Sequence, residues 1–522
     1  MKYIDIDFPY DEAENYLQSG NKEKMKKFFY KGDVYEKLKR QTTYFLVGDK
    51  GSGKTAYSVY FCNNQIEGSI KSKFYQISVD DYNKIIQMKL EHKLNYTHYI
   101  TLWKAVILIK ICSSIDAQEI SVFGKMGYKK ITDLLKTYKF TNFTIDSFSP
   151  MEFMDSSEFS QDIDLNLEKS GIKPKIGQSR KVSNQVSVQQ NIYIDNWVTF
   201  INEITEEISK LRLTNTHYLF IDGIDIRPSD IDFISYSECV YPLIRAVYEI
   251  NASIFSKIKD RNKGRLQVIL LTRLDVFLQA GLSNPGSKLQ DNCAYIDWNT
   301  KEEEYENSNI YTVVNNMISQ QHNGMDWKSF FNYPIKRGHD SFDSFIYFLR
   351  LTTGKPRDFV RALRIIQELC KKNKCEPSAS LIEGDEFQKA YSTYFVDKTR
   401  TALSFTYKKS EIDALFEFLR TIGKRSLKKS ELYRIYENYI YKDYLDSSFI
   451  NFSGLVKVLF DNDMICIKEP SGAFRWKFKE ASIASYDYNL PIDSLPDKTI
   501  ILFNWALEKS FSMYLKMGSN LQ

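Results

Sequence analysis

The chain has 522 residues, more than one ordinary core accommodates, and its length points to about two to four domains. A hydrophobic share of 43% with 26% charged residues is an ordinary globular composition, and a net charge of +5 is too small to argue by itself for nucleic acid as a partner. Seven cysteines are scattered without zinc-ligand spacing and the five histidines do not supplement them, so the expectation is buried free thiols in a reducing compartment rather than a structural metal.

Residues before about 40 are rich in Lys, Glu and aromatics, with Asp11 to Leu17 and Lys22 to Tyr30 at helical spacing. The start, Met1-Lys2-Tyr3-Ile4-Asp5, lacks the basic-then-apolar pattern of a signal peptide. The apolar segment Tyr44-Phe45-Leu46-Val47 reads as a strand, and Ala56 to Phe61 continues as a buried helix after the glycine-rich run between them. Tyr75 to Val79 reads as a strand and Thr97 to Ile115 as a long buried helix. The most apolar stretch, Tyr99 to Cys112, carries Lys104 and Lys110 and is too short and too charged to span a bilayer. A cytoplasmic protein with no membrane partner is expected.

From about Phe140 to Ile192 serines interspersed with Asp, Gln and Lys replace apolar periodicity, which reads as a flexible insertion. Helical spacing returns over Asn196 to Leu211. Tyr218-Leu219-Phe220-Ile221-Asp222 is an unbroken apolar run ending in an acid, as in a central parallel strand. Ile231 to Phe255 reads as mostly helical with a break or kink at Pro242, and Leu266 to Leu271 as a second buried strand ending at Thr272-Arg273. Helices are expected over Ser308 to Gln320, Phe342 to Leu351 and Pro356 to Lys371. Three more, Ile412 to Ile422, Ser430 to Tyr439 and Phe449 to Asp461, precede two strands, Met464 to Lys468 and Phe474 to Phe478; that is winged-helix order. A closing helix is expected over Thr499 to Leu515.

The run Gly48-Asp49-Lys50-Gly51-Ser52-Gly53-Lys54-Thr55 is G-x-x-x-x-G-K-[ST], a phosphate-binding loop in the strand–loop–helix setting the motif requires. Its backbone N–H groups and the following helix N-terminus favour phosphate oxygens, Lys54 reaches toward the β- and γ-phosphates, and Thr55 offers a hydroxyl to Mg²⁺. Asp222 fits the second metal-binding acid. Gly223 stands where many ring-forming ATPases place a Glu, so Asp225 is the candidate for orienting the attacking water, against the plainer reading of a turn residue before Arg227-Pro228. Arg273, directly after a buried strand, falls at the carboxyl edge of the sheet and suits γ-phosphate sensing; its plainer reading is an ion pair with Asp275. In Gly354-Lys355-Pro356-Arg357-Asp358, which opens a helix, Arg357 or Lys355 could reach the nucleotide, or simply form a solvated basic helix start.

The P-loop, Phe220-Ile221-Asp222-Gly223-Ile224-Asp225, Thr272-Arg273 and the Gly354-Lys355-Pro356 turn together resemble the STAND and origin-recognition side of the AAA+ ATPases, the D-G-x-D form being similar to NACHT-type members. The order of elements is also similar to bacterial P-loop ATPases encountered in mobile or phage-defence loci. The resemblance implies an α/β P-loop parallel sheet of ASCE/AAA+ type, a helical lid and a C-terminal winged helix, with ATP rather than GTP and Mg²⁺ as ligands. It implies segments at 1–40 (helical), 41–300 (ATPase, with 140–192 the insertion), 301–400 (lid), 401–482 (winged helix) and 483–522 (closing helix). Ile226 stands where a further acid would follow Asp225, and no sensor repeat array follows the winged helix. The implied activity is an Mg-dependent ATPase switch acting through a homo-oligomer or a separate effector. The alternative is a DNA-associated ATPase gripping double-stranded DNA through Lys424, Arg425, Lys428, Lys429, Lys468, Arg475, Lys477 and Lys479, a set suited to phosphate contact more than to base reading.

Overall fold

The computed structural model describes residues 2–18, 20–63, 70–92, 96–137, 197–228, 231–321, 324–337, 340–440, 451–468, 474–476 and 492–513. The expected insertion at 140–192 lies outside these residues, as do the start of the expected third winged-helix helix, the turn at 469–473, Lys477, Lys479 and the last residues of the expected closing helix. The chain forms two compact units, one of Lys37–Val47 and Phe61–Ala294, the other of Met1–Glu36, Gly48–Tyr60 and Tyr295–Gln522.

The first unit is α/β and built on a five-stranded parallel sheet of order β2-β3-β4-β1-β5, comprising β1 (Phe45–Val47), β2 (Ile70–Gln76), β3 (Thr216–Asp222), β4 (Leu266–Thr272) and β5 (Cys293–Tyr295). Every residue of β3 and β4 is buried, which is why both are unbroken apolar runs rather than alternating ones. Pairing of Val47 with Thr272 and of Ile221 with Leu270 aligns the carboxyl ends of β1, β4 and β3. The strand leading into the glycine-rich loop and the strand ending in Asp222 are therefore separated by the one that ends before Arg273.

Helix α1 (Lys54–Asn63) follows the loop. Strand β2 stops at Gln76, and helix α2 (Val79–His92) begins where the sequence suggested strand. The reason is reciprocal capping: the Ser78 N–H donates to Asp81 Oδ2 at 2.9 Å and the Asp81 N–H to Ser78 Oγ at 3.1 Å. Helix α3 (Tyr96–Cys112) is buried on nearly all sides and packs on α4 (Phe233–Glu249). Pro242 sits inside α4 without ending it, so of the expected break or kink the break does not occur. Proline withholds the N–H that would serve the Glu238 carbonyl, and the next carbonyl along, that of Cys239, accepts the Trp103 indole N–H at 2.9 Å. Among the described residues no helix is long and apolar enough to cross a membrane.

The second unit is mainly helical around one continuous apolar core reaching from Tyr3 to Met513. Its longer helices are α5 (Asn309–Ser319), α6 (Ser344–Leu351), α7 (Pro356–Asn373), α8 (Asp385–Leu403), α9 (Lys409–Ile422), α10 (Lys429–Ile440) and α11 (Phe452–Asp461). Strands β6 (Ile335–Arg337) and β7 (Asp340–Phe342) form a small hairpin. A four-stranded antiparallel sheet of order β10-β9-β11-β8 contains β8 (Ser426–Lys428), β9 (Ile465–Lys468), β10 (Phe474–Arg475) and β11 (Ile500–Phe503). The expected closing helix is thus corrected at its start. Ile500 to Phe503 is a strand bonded on both edges, and only Glu508–Phe511 is α-helical. Ile501 faces Leu427 on one side and Ile467 on the other and is buried. Replacing it, Ile501→Ala, should cost about 2–4 kcal/mol, read as a lower urea midpoint; the near-silent result of an exposed helical site would contradict the strand assignment.

Candidate phosphate-binding site

The glycine-rich loop leaves β1 at Val47 and enters α1 at Lys54. Gly51 and Gly53 have φ of 82° and 97°, a conformation side chains rarely adopt. Gly48 is needed for a different reason: a methyl group there would lie 2.6 Å from Ser52 Oγ and 3.2 Å from Ile296 Cβ. The buried Lys54 ammonium donates to the carbonyls of Gly48 at 2.9 Å and Asp49 at 3.2 Å, folding back along its own loop. The Trp298 indole N–H donates to the Ser52 carbonyl at 2.9 Å. Ser52 Oγ is buried with no hydrogen-bond partner among the described residues. A buried hydroxyl left without a partner is costly unless a ligand group meets it. Glycines in positive φ, an ammonium, a helix N-terminus and an orphaned hydroxyl are a donor set that fits phosphate oxygens.

Several residues converge on this loop within its own unit. A methyl group on Gly51 would lie 3.6 Å from Arg357 Cβ and 3.8 Å from its Cδ, so the first turn of α7 lies along the loop. Lys355 Nζ is 2.8 Å from Asp463 Oδ2 and 3.7 Å from Asp49 Oδ2. Burial works to lower the pKa of that ammonium, but the Asp463 and Asp49 carboxylates outweigh it and hold it above the ordinary lysine value. Asp358, buried in the first turn of α7, accepts from Tyr394 Oη at 2.7 Å and pairs closely with Lys398, whose pKa burial pushes down. Asp297 is exposed in surface area but crowded by neighbouring atoms; it accepts the Asn299 N–H at 2.8 Å, and its carboxyl is pushed up by partial desolvation and then by Asp49.

The chain's first residues form a strap along α7. The Tyr3 N–H donates to Glu376 at 3.1 Å and the Ile6 carbonyl accepts from Gln367 at 2.6 Å. Asp11 pairs with Arg364 at 3.2 Å, and Glu12 lies 3.7 Å from Arg357. Arg357 is therefore held between an N-terminal acid and the glycine loop.

The other predicted residues lie at the carboxyl edge of the sheet in the α/β unit. Asp222 is buried at the end of β3, and its Oδ1 accepts the Gly223 N–H at 2.8 Å. Gly223 has φ of 99°, and a methyl group there would come within 2.7 Å of the Ile77 carbonyl oxygen. No glutamate fits at that position, which explains the departure seen in the sequence. Asp225 sits half-buried in the turn that follows, between two carbonyls, of Ile224 and Ile226, that accept from Tyr236 Oη at 3.0 and 3.2 Å. Arg273 forms a bidentate ion pair with Asp275, at 3.0 Å from Nε and 2.6 Å from Nη2, the plainer of its two readings.

Trp298, Asp297, Asp463 and Glu12 were not marked in the sequence. They touch or face the loop only through the fold, and no local motif flags them. On the C-terminal helices and strands, Arg425 pairs with Glu508 at 3.1 Å, Lys429 donates to the Leu495 carbonyl at 2.7 Å and Lys457 pairs with Asp461 at 3.0 Å. No protein-family description and no curated protein matches the chain.

Two outcomes follow for stability. Gly223→Ala should destabilise by about 1–3 kcal/mol through positive-φ strain and the Ile77 contact, read from the denaturation midpoint. Because the raised Asp297 pKa makes the folded state bind its proton more readily than the unfolded state does, ionised Asp297 costs stability once pH exceeds that raised value. Asp297→Asn should therefore stabilise at neutral pH, and the gain should vanish in acid below the ordinary aspartate range; a pH-independent gain would contradict this origin.

Proposed function

We propose that the chain binds and hydrolyses ATP with Mg²⁺ and acts as an AAA+/STAND-like switch whose nucleotide state governs oligomerisation or a separate effector. The observation that carries the proposal is the loop at Gly48 to Thr55, with its positive-φ glycines and orphaned Ser52 hydroxyl. In this reading Lys54 exchanges its contacts to the Gly48 and Asp49 carbonyls for the β- and γ-phosphates, and Gly51 to Gly53 let backbone amides close around them. Thr55 and Asp222 hold the metal, which when bound supplies charge neutralisation on the phosphate oxygens. Asp225 orients the attacking water and accepts its proton. Arg273 leaves Asp275, and Arg357 leaves Glu12, to meet negative charge developing on the phosphates. The helices from α5 to α8 serve as the lid, and α9 to α11 with β8 to β10 as the winged helix, packed within the unit that contains the glycine loop.

DNA binding is the weaker alternative. Of the basic residues that suggested it, Arg425 and Lys429 are engaged within the protein, as is Lys457 on α11. Cytoplasmic residence accords with the free cysteines.

Lys54→Ala should abolish nucleotide binding or turnover, and near-normal turnover would overturn the proposal. Asp222→Ala should lower turnover more than affinity. Asp225→Asn should retain binding while kcat falls about 10²–10⁴-fold; an unchanged kcat returns Asp225 to the role of turn residue. Light scattering with ATP, ADP and a slowly hydrolysed analogue tests the switch. A monomer in all three states excludes control through oligomerisation, and DNA-stimulated turnover at stated salt would instead favour the alternative.

A further inference from the structure

Helix α7 begins at the glycine loop and ends in a turn that the nucleotide reaction does not use. Its last helical residue is followed by Lys374 with φ of 52°, and the Cys375 N–H then donates to the Cys370 carbonyl at 3.1 Å. A left-handed residue followed by a six-to-one hydrogen bond is a helix-ending motif in which the two bonded residues commonly bring their side chains into contact. That contact is usually apolar; here both positions are cysteine. That bond sets the backbones of the two cysteines side by side at the helix end, as a disulfide, whose Cα atoms stand about 4.4–6.8 Å apart, requires. Both thiols are free, and the Cys375 side chain is near enough to Cys370 to raise its pKa.

The two sulfurs are not equivalent. Cys370 is buried, and its thiol is pushed up to about 12 by burial first and by Cys375 second. It also lies in the last turn of the helix, where the carbonyl ends disfavour an anion. Cys375 is exposed, so an external disulfide can reach its sulfur. Attack on an external disulfide therefore falls to Cys375 and resolution to Cys370.

We propose that Cys370 and Cys375 form a dithiol–disulfide site for small disulfides of the oxidised-glutathione class. The Cys375 thiolate bonds to one sulfur of the small disulfide, whose S–S bond breaks and releases one thiolate. Cys370 then gives its proton to that thiolate and its sulfur attacks Cys375 Sγ, expelling the second small thiolate, which takes up the proton first lost by Cys375. In sum the protein dithiol is oxidised to a disulfide and one small disulfide is reduced to two thiols. The next residue, Glu376, holds the Tyr3 N–H at 3.1 Å, so the new bond closes a ring beside the anchor of the N-terminal strap.

The test uses the full chain with oxidised glutathione at neutral pH, quenched with acid and read by intact mass and peptide mapping. The wild-type chain is expected to lose two hydrogens with Cys370 and Cys375 cross-linked. Cys370→Ser should stop with one glutathione on Cys375, and Cys375→Ser should leave Cys370 unmodified. A wild-type chain that keeps both thiols while the partly exposed Cys62 reacts would overturn the proposal. So would a wild-type chain that stops at the mixed disulfide. Glutathione on Cys370 in the Cys375→Ser chain would overturn the assigned order of attack. Should Cys370→Ser fail to fold, the wild-type cross-link alone decides.

Discussion

One ammonium group ties three distant segments of the helical unit to one another beside its glycine loop. Lys355 reaches Asp49 on that loop and Asp463 in the turn between α11 and β9, while its own backbone opens α7. Three segments far apart in sequence thus meet on a single positive charge. Removing that charge would take from both carboxylates the cation they share, a larger penalty than the pair's net contribution to stability. Asp358 and Lys398 repeat the arrangement one turn into α7, with Asp358 fully buried. The helix start is fixed in place electrostatically before any apolar packing is counted.

Such an arrangement couples the loop to the C-terminal elements by charge balance. Phosphate near the loop would add negative charge where Asp49 and Asp463 already share Lys355, Asp297 already feels Asp49, and Glu12 already faces Arg357. The cations would then be shared among more anions, and the carboxylates least well held would be the first to lose their partners. Glu12, 3.7 Å from Arg357, is the more loosely held of those that border the loop, whereas Asp463, at 2.8 Å from Lys355, is the tighter. The strap and the turn before β9 therefore differ in how readily nucleotide would displace them.

What could be seen in the sequence follows the physics of each element. The runs that became β3 and β4 were legible because complete burial demands an unbroken apolar string, and Gly51 and Gly53 because positive φ demands glycine. The start of β11 was not: Ile500 to Phe503 followed by Trp505 to Leu507 is apolar at nearly every position, and such a run carries no period to separate strand from helix. Pro242 was read by its local rule, yet α4 runs through it, packed on α3. Gly223 could be seen to replace an acid, but only the Ile77 carbonyl explains why it must. Trp298 and Asp463 act through contacts 246 and 108 residues away in the chain, to Ser52 and Lys355, which no local pattern announces.

The indole of Trp298 has one more consequence. Its N–H ends on the Ser52 carbonyl, inside the segment that must reshape if phosphate is to enter. Indole emission shifts with the polarity and hydrogen bonding of its surroundings, so the protein carries a native fluorophore wired to its own loop. Only six tryptophans share the chain, few enough for that one signal to be isolated by conservative replacement of the others.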